Sequence, residues 1–124
     1  MSLRRLSQLQ WVGFLAGGTI WFLEYLAGIA ESQAKCNVAS SRWNLPHDAI
    51  QIGFGAFAGV IVLIALAASA VVFRETRHHE EYDAPPQGRL HFFSAAALGG
   101  NVIFLMIIIL TTVATVVDRT CHVA

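Results

Sequence analysis

Three long apolar runs separated by short polar segments make up most of this chain. They cover residues 11–30, 50–73 and 90–117. A helix needs about 20 apolar residues to cross a hydrocarbon core about 30 Å thick. Each run satisfies that length, and the second has no charged residue between Ile50 and Phe73. The pattern predicts an all-α integral membrane protein with three transmembrane helices, and residues 1–124 form a single membrane domain.

The composition agrees with this reading. Hydrophobic residues are 56% of the chain, charged residues 13%, and the mean hydropathy is +0.59. Ordinary soluble domains carry about 25% charged residues. Eight acidic and eight basic residues cancel, so nothing indicates a nucleic-acid partner. The segments outside the runs are too short to fold as a separate domain.

The first run could be mistaken for a cleaved signal peptide, with Arg4 and Arg5 as its basic region. Two features favour a retained helix instead. The run is longer than the usual apolar core of a signal peptide, about 7–15 residues. It also contains Glu24, which a signal peptide core rarely tolerates.

The distribution of basic residues predicts the orientation. Three spans place the N-terminal tail and the second connection on one side of the membrane. That side has five arginines, and the other side has three basic residues, Lys35, Arg42 and Arg119. Basic residues are enriched on the cytoplasmic side. We therefore expect a cytoplasmic N-terminus and a C-terminus outside.

The two cysteines, Cys36 and Cys121, follow the first and third spans by a few residues. The predicted orientation places both on the outer side, where disulfides can form. We expect a Cys36–Cys121 disulfide. Two free thiols are the alternative. A metal site completed by His47 and His122 is a weaker one, because the spacing matches no standard ligand pattern.

Small residues recur at spacings that favour close helix contacts. Small residues three or four positions apart let helix backbones approach closely in lipid. Such residues are also common in any membrane helix, which is the alternative interpretation. The glycines expected at helix contacts are Gly13, Gly17, Gly55, Gly59, Gly99 and Gly100. Trp21, near the middle of the first span, is expected to pack against another helix.

Glu24 and Asn101 are polar residues inside the predicted spans. An ionisable residue in a membrane interior is costly and is by default a candidate functional site. No basic residue of this chain is expected at the depth of Glu24. Its partner, if it has one, would be a Thr hydroxyl or an Asn amide group of this chain, or a group of another subunit. The alternatives are a role in proton movement, or a neutral side chain that reaches outward.

The sequence offers no catalytic, cofactor-binding or metal-binding residue. It has no nucleotide-binding motif and no nucleophile with an adjacent base. A haem held by two histidines needs them at one depth, whereas His47 and His91 begin spans two and three on opposite sides. We therefore expect no enzyme activity, no cofactor and no small-molecule substrate.

Several short patterns occur in the third span: Gly88-Arg89-x-x-Phe92, Asn101-x-x-Phe104-Leu105-x-x-Ile108 and Asp118-x-x-Cys121. In and after the first span the corresponding residues are Trp11, Gly17, Trp21, Tyr25 and Cys36. Together these patterns resemble small three-span bacterial membrane proteins associated with haem–copper cytochrome c oxidases. Glu24 is not part of this resemblance.

The resemblance implies a multi-pass protein of the bacterial inner (cytoplasmic) membrane. Its expected role is that of a non-catalytic accessory subunit of a respiratory complex, such as a haem–copper oxidase or a supercomplex containing one. It would support assembly and stability, and its partners would be other membrane subunits and lipids. The alternatives are a small proton- or ion-conducting element that uses Glu24, and a transient assembly factor.

Overall fold

The computed structural model describes residues 1–37, 46–78 and 84–117. They form three helices, α1 (Leu3–Lys35), α2 (His47–Thr76) and α3 (Gln87–Val117), and no strand. All three are long and apolar enough to cross a membrane. The predicted all-α, three-span fold is therefore confirmed, while the side on which each terminus lies stays a prediction.

The three helices run up, down and up, so the bundle has two distinct ends. We call the end where α1 begins the N-terminal end. It also holds the end of α2 and the start of α3. The C-terminal end holds the end of α1, the start of α2 and the end of α3.

The helices extend beyond the apolar runs that predicted them. At 1.5 Å per residue, the 33 residues of α1 reach about 50 Å, well beyond a hydrocarbon core of about 30 Å. The additional turns carry charged residues, such as Arg4 at the start of α1 and Lys35 in its last turn. Helical hydrogen bonding thus continues past the apolar runs, except at Val117, where the third run and α3 end together.

Each helix packs against the other two, and most of its buried positions follow one another at three, four or seven residues. This spacing is that of left-handed bundles with nearly aligned helices. The buried positions of α1 are Leu6, Gln10, Gly13, Gly17 and Glu24. Those of α2 are Gln51, Gly55, Ala58, Val62, Ala65, Ala68, Ser69, Val72 and Thr76.

The interior of the bundle is built mainly from small and polar residues, whereas large apolar side chains cover the outside. Phe57, Ile103 and Leu110, for example, are all more than half exposed. Because lipid tails solvate such side chains, helices in a membrane gain from close backbone packing instead. The distribution is that of a bundle surrounded by lipid or by other membrane helices.

An apolar layer crosses the middle of the bundle. Its buried members are Ala58, Val62 and Ile108, and Ile20, Trp21, Phe104 and Leu105 pack against them. The rings of Trp21 and Phe104 stack with centroids 5.3 Å apart, so Trp21 does pack against another helix, as predicted.

Three of the six glycines singled out in the sequence lie at close helix contacts. A Cβ atom added to Gly13 would overlap the Ser69 hydroxyl and lie 3.2 Å from the Ala65 carbonyl oxygen. A Cβ at Gly17 would overlap the Asn101 side chain, and one at Gly55 would overlap Thr112. These glycines let α1 approach both other helices, and let α2 approach α3.

The other three glycines make no such contact within the described residues. A Cβ at Gly59 would meet only Leu105, at 4.0 Å, and one at Gly100 only Phe104 of its own helix, at 3.8 Å. A Cβ at Gly99 would have nothing within 4 Å. Their spacing resembles that of contact glycines, but none of the three is among the buried positions of its helix.

Candidate functional site

Glu24 lies in the interior of the bundle, where its side chain meets α2 and α3. The residue is 1% exposed. Its Oε1 atom accepts a hydrogen bond from Gln51 Nε2 at 3.3 Å and one from Thr111 Oγ1 at 3.5 Å. One helix therefore contributes the carboxyl group, and each of the other two contributes one polar partner.

The packing stripes explain why these three residues meet. Glu24 lies seven residues after Gly17 on the buried stripe of α1, and Gln51 begins the buried stripe of α2. On α3, Thr111 lies three residues after buried Ile108. Because helices in such a bundle stay nearly aligned, positions on the stripes remain in register and face one another.

Both hydrogen bonds to the carboxyl group are long, and the Thr111 hydroxyl also contacts backbone carbonyl oxygens of its own helix. The Thr111 hydroxyl also lies 2.9 Å from the carbonyl oxygen of Ile107 and 3.1 Å from that of Ile108. Such bonds to the preceding turn are usual for threonine in helices. Gln51 is therefore the principal partner of Glu24 within the described residues.

Three buried polar atoms in this region have no hydrogen-bond partner within the described residues. They are Glu24 Oε2, Thr112 Oγ1 and Trp21 Nε1. Thr112 follows Thr111 and packs against Gly55, so its hydroxyl lies close to the level of Glu24. Trp21 precedes Glu24 by one turn of α1. Buried polar groups in native proteins are usually bonded, in many cases to ordered water.

A polar pair at the C-terminal end continues the α1–α2 contact. His47 Nδ1 lies 2.8 Å from Glu31 Oε1, and both side chains are largely covered. Glu31 is seven residues after Glu24 on α1, and His47 is one turn before Gln51 on α2. A second, more exposed ion pair joins Lys35 Nζ to Asp48 Oδ1 at 3.1 Å.

Gly28 lies on α1 between Glu24 and Glu31. A Cβ atom there would come within 3.6 Å of Gln51 Nε2. The glycine has no side chain to cover the Gln51 amide from this direction. The polar groups of Glu24, Gln51, His47 and Glu31 thus form a row along one helix contact, and no large apolar α1 side chain lies at position 28.

Asn101 is buried but does not join this group. Its Nδ2 atom donates to the Gly13 carbonyl oxygen at 2.8 Å and lies 3.4 Å from Ser69 Oγ. Asn101 precedes Thr111 by ten residues, about 15 Å along α3. The two intramembrane polar residues found in the sequence therefore occupy separate sites, on opposite sides of the apolar layer.

The histidines expected on opposite sides do lie at opposite ends of the bundle. At the N-terminal end, His91 stacks on Phe73 with ring centroids 4.9 Å apart, and a hydrogen bond of 3.1 Å joins its Nδ1 to Thr76 Oγ1. His47 lies at the C-terminal end with Glu31.

Only one half of the predicted disulfide lies in the described part of the chain. Cys36 follows the last residue of α1 and is not a free thiol. Cys121 lies outside the described residues. Its pairing with Cys36 therefore stays a prediction.

Sequence reasoning expected a Thr or Asn partner for Glu24 within this chain, which fits Thr111 but missed Gln51. Gln51 lies one residue inside the second apolar run and looked like part of its polar boundary. Its spacing of four residues from Gly55 was an available signal, because it places both residues on one helix face. That face is the one that meets Glu24.

Comparison with protein-family models, with curated proteins and with solved structures finds no match to this chain.

Proposed function

We propose that this chain is a non-catalytic accessory subunit of a respiratory membrane complex of the bacterial cytoplasmic membrane. The complex would be a haem–copper oxidase or a supercomplex that contains one. Two lines of argument support the proposal. One is the resemblance carried by the first and third spans. The other is a surface on α3 that is suited to contact with another membrane helix.

The observation that carries the proposal is the position of Gly99. No atom of residues 1–37, 46–78 or 84–117 lies within 4 Å of a Cβ atom added there, and neighbouring Ala95 and Ala96 are also exposed. Phe92 and Ile103, both at least half exposed, flank these small residues. Small residues between large ones form a shallow groove into which a helix of another chain can pack closely.

The proposal is tested by purifying the tagged, full-length chain from its native membrane in a mild detergent. We expect it to migrate on a native gel with haem-containing subunits at a fixed stoichiometry, identified by absorption spectrum and mass spectrometry. Deleting the chain should leave the haem spectrum intact but lower the yield or the association of the complex. Purification of the chain without any haem protein would contradict the proposal.

Gly99→Leu provides a sharper test, because position 99 is open and the chain's own fold should tolerate the substitution. We expect a folded chain that no longer associates with the complex. Ala67→Leu is the matched control, since Ala67 is also an exposed small residue at comparable depth, but on α2. Equal association of both variants would exclude the α3 groove as the contact surface.

A proton- or ion-conducting element is the second candidate, and it is favoured by the Oε2 atom of Glu24, which has no hydrogen-bond partner in the part of the chain that the structure describes. Conduction requires a polar path across the whole membrane, whereas Val62 and Ile108 are fully buried in the apolar layer. Proton flux through liposomes that contain only this chain would support the conducting role. A transient assembly factor would instead associate with the complex only at low stoichiometry.

A further inference from the structure

We propose that Glu24 is a reversible proton-binding site that exchanges protons with water at the C-terminal end of the bundle only. The path follows the α1–α2 contact past Gln51 to His47 and Glu31. This inference does not depend on the proposed accessory role. It concerns what the buried carboxyl group does within the chain itself.

The first argument is the unmet bonding of the carboxyl group. Glu24 is 1% exposed, and its Oε2 atom has no partner within the described residues. Thr112 Oγ1, close to the same level, and Trp21 Nε1, one turn away, are also unpartnered. A buried water molecule typically makes about three hydrogen bonds to polar groups that otherwise lack partners. A water molecule at Glu24 Oε2 would supply the hydrogen bond that this atom lacks within the described residues.

The second argument is the row of polar groups that leads from Glu24 to one end of the bundle. Gln51 Nε2 lies 3.3 Å from Glu24 Oε1, and His47 is one turn from Gln51 on the same helix. Side chains four residues apart on a helix are neighbours, about 5–6 Å apart at Cβ. A water molecule beside Gly28 would bridge this step. His47 then contacts Glu31 at 2.8 Å, and both side chains reach the surface.

The third argument is the apolar layer that separates Glu24 from the N-terminal end of the bundle. Toward the N-terminal end, Glu24 is followed by the apolar layer, in which Ala58, Val62 and Ile108 are buried and Trp21 and Phe104 stack. The next buried polar groups are those of Asn101 and Ser69, beyond this layer. The polar atom in this layer is the indole nitrogen of Trp21, whose N–H group donates but does not accept a hydrogen bond, so the layer offers no relay for a proton.

The ionisable groups that face this path lie at the C-terminal end. α1 contributes Glu31 and Lys35, and α2 contributes His47 and Asp48. On α3, the ionisable side chains within the described residues are Arg89 and His91, both at the N-terminal end. The contact of His47 Nδ1 with Glu31 Oε1 at 2.8 Å places two proton-binding groups at the end of the path that is nearest bulk water.

The transfer is balanced without a co-reactant. The O–H bond of the Glu24 carboxyl group breaks, and its proton passes through bridging water to the Glu31–His47 pair and then to bulk water. The carboxylate that remains keeps the hydrogen bond from Gln51 Nε2. Gln51 orients the water and does not itself lose a proton. Reprotonation follows the same path in reverse.

Infrared spectroscopy of the full chain in lipid nanodiscs tests the proposal. The C=O stretching band of the protonated Glu24 carboxyl group is identified as the band that Glu24→Gln removes. Transfer into D2O shifts this band, and the time course gives the exchange rate. Lowering the pH should increase the band, and raising the pH should decrease it.

Gln51→Met retains the length of the side chain but removes its polar atoms. We expect it to slow the exchange roughly tenfold, the effect of one lost hydrogen-bonded step. His47→Ala, at the mouth of the path, should also slow exchange and serves if Gln51→Met does not fold. Ser69→Ala is the matched control, because Ser69 is a buried polar residue of α2 beyond the apolar layer.

The proposal would be overturned if the exchange rate stayed at the wild-type value in both Gln51→Met and His47→Ala. It would also be overturned if Ser69→Ala slowed the exchange, because protons would then enter from the N-terminal end. A Glu24 band that neither titrates nor exchanges would show a permanently protonated group and would also overturn it. The same conclusion follows if no protonated Glu24 band appears at any pH that the fold withstands.

Discussion

Asn101 Nδ2 donates a hydrogen bond to the Gly13 carbonyl oxygen at 2.8 Å, joining α3 to α1 across 88 residues of sequence. The contact depends on two glycines. Gly13 packs against Ser69 of α2, and Gly17 leaves room for the Asn101 side chain. One side chain thus links the first and last helices at a point where α1 and α2 are also in close contact.

Asn101→Ala should lower the free energy of unfolding by about 1–2 kcal/mol, because it removes this bond and the packing against Gly17. Unfolding in mixed micelles with increasing sodium dodecyl sulfate would measure the change. Val102→Ala is the control, since Val102 is the next residue and faces outward. An equal loss of unfolding free energy in both variants would mean that the hydrogen bond between Asn101 and Gly13 does not itself stabilise the chain.

Gly55→Ala and Gly59→Ala should differ, although the two glycines lie one turn apart on α2. A Cβ at Gly55 would overlap Thr112, whereas one at Gly59 would meet only Leu105 at 4.0 Å. Overpacking typically costs about 1–3 kcal/mol, so Gly55→Ala should destabilise the chain by that amount. Gly59→Ala should change stability by less than about 0.5 kcal/mol. The same unfolding assay tests both variants, and equal effects would refute the assigned contact.

Glu24→Gln should leave the fold intact, because an amide of the same shape can still bond to Gln51 and Thr111. Glu24→Leu should cost about 1–3 kcal/mol, since it leaves buried polar partners without a bond. If the chain is an accessory subunit, Glu24→Gln should also leave the turnover of its complex nearly unchanged. A severe fall in turnover with an intact complex would instead place Glu24 on a proton path that the complex uses.

The predicted Cys36–Cys121 disulfide should appear in peptide mapping under non-reducing conditions. Because it closes a long loop, it should stabilise the chain by about 3–5 kcal/mol in the chain-entropy model. Reduction, or Cys36→Ser, should lower the unfolding midpoint accordingly. Alkylation of both cysteines without prior reduction would show that the bridge does not form.

The orientation of the chain can be tested with single reporter cysteines in a variant that lacks Cys36 and Cys121. Gln87→Cys, at the start of α3, should react with a membrane-impermeant reagent only from the cytoplasmic side. Ser40→Cys, whose position lies outside the described residues, should react only from the opposite side. The reverse labelling would overturn the prediction from basic residues and would remove the argument for a disulfide in an oxidising compartment.

The sequence by itself determined the fold class, because three uninterrupted apolar runs leave a chain of 124 residues few alternatives to crossing a membrane three times. It also identified Glu24 and Asn101, since a polar residue within an apolar run is conspicuous. These are local properties. They follow from the free energy of transferring each segment into lipid, which depends little on where the other segments lie.

Only the tertiary structure decided which faces meet. Gly55 and Gly59 look equivalent in the sequence, yet a Cβ at Gly55 would overlap Thr112, whereas one at Gly59 would meet only Leu105, at 4.0 Å. In the sequence, Gln51 looked like the polar boundary of a span. In the structure, the register of α1 against α2 places its amide beside Glu24. Hydrophobic patterning does not fix the rotation of a helix whose surroundings are apolar on every side. The rotation is decided by backbone packing and buried hydrogen bonds, which involve residues far apart in the chain.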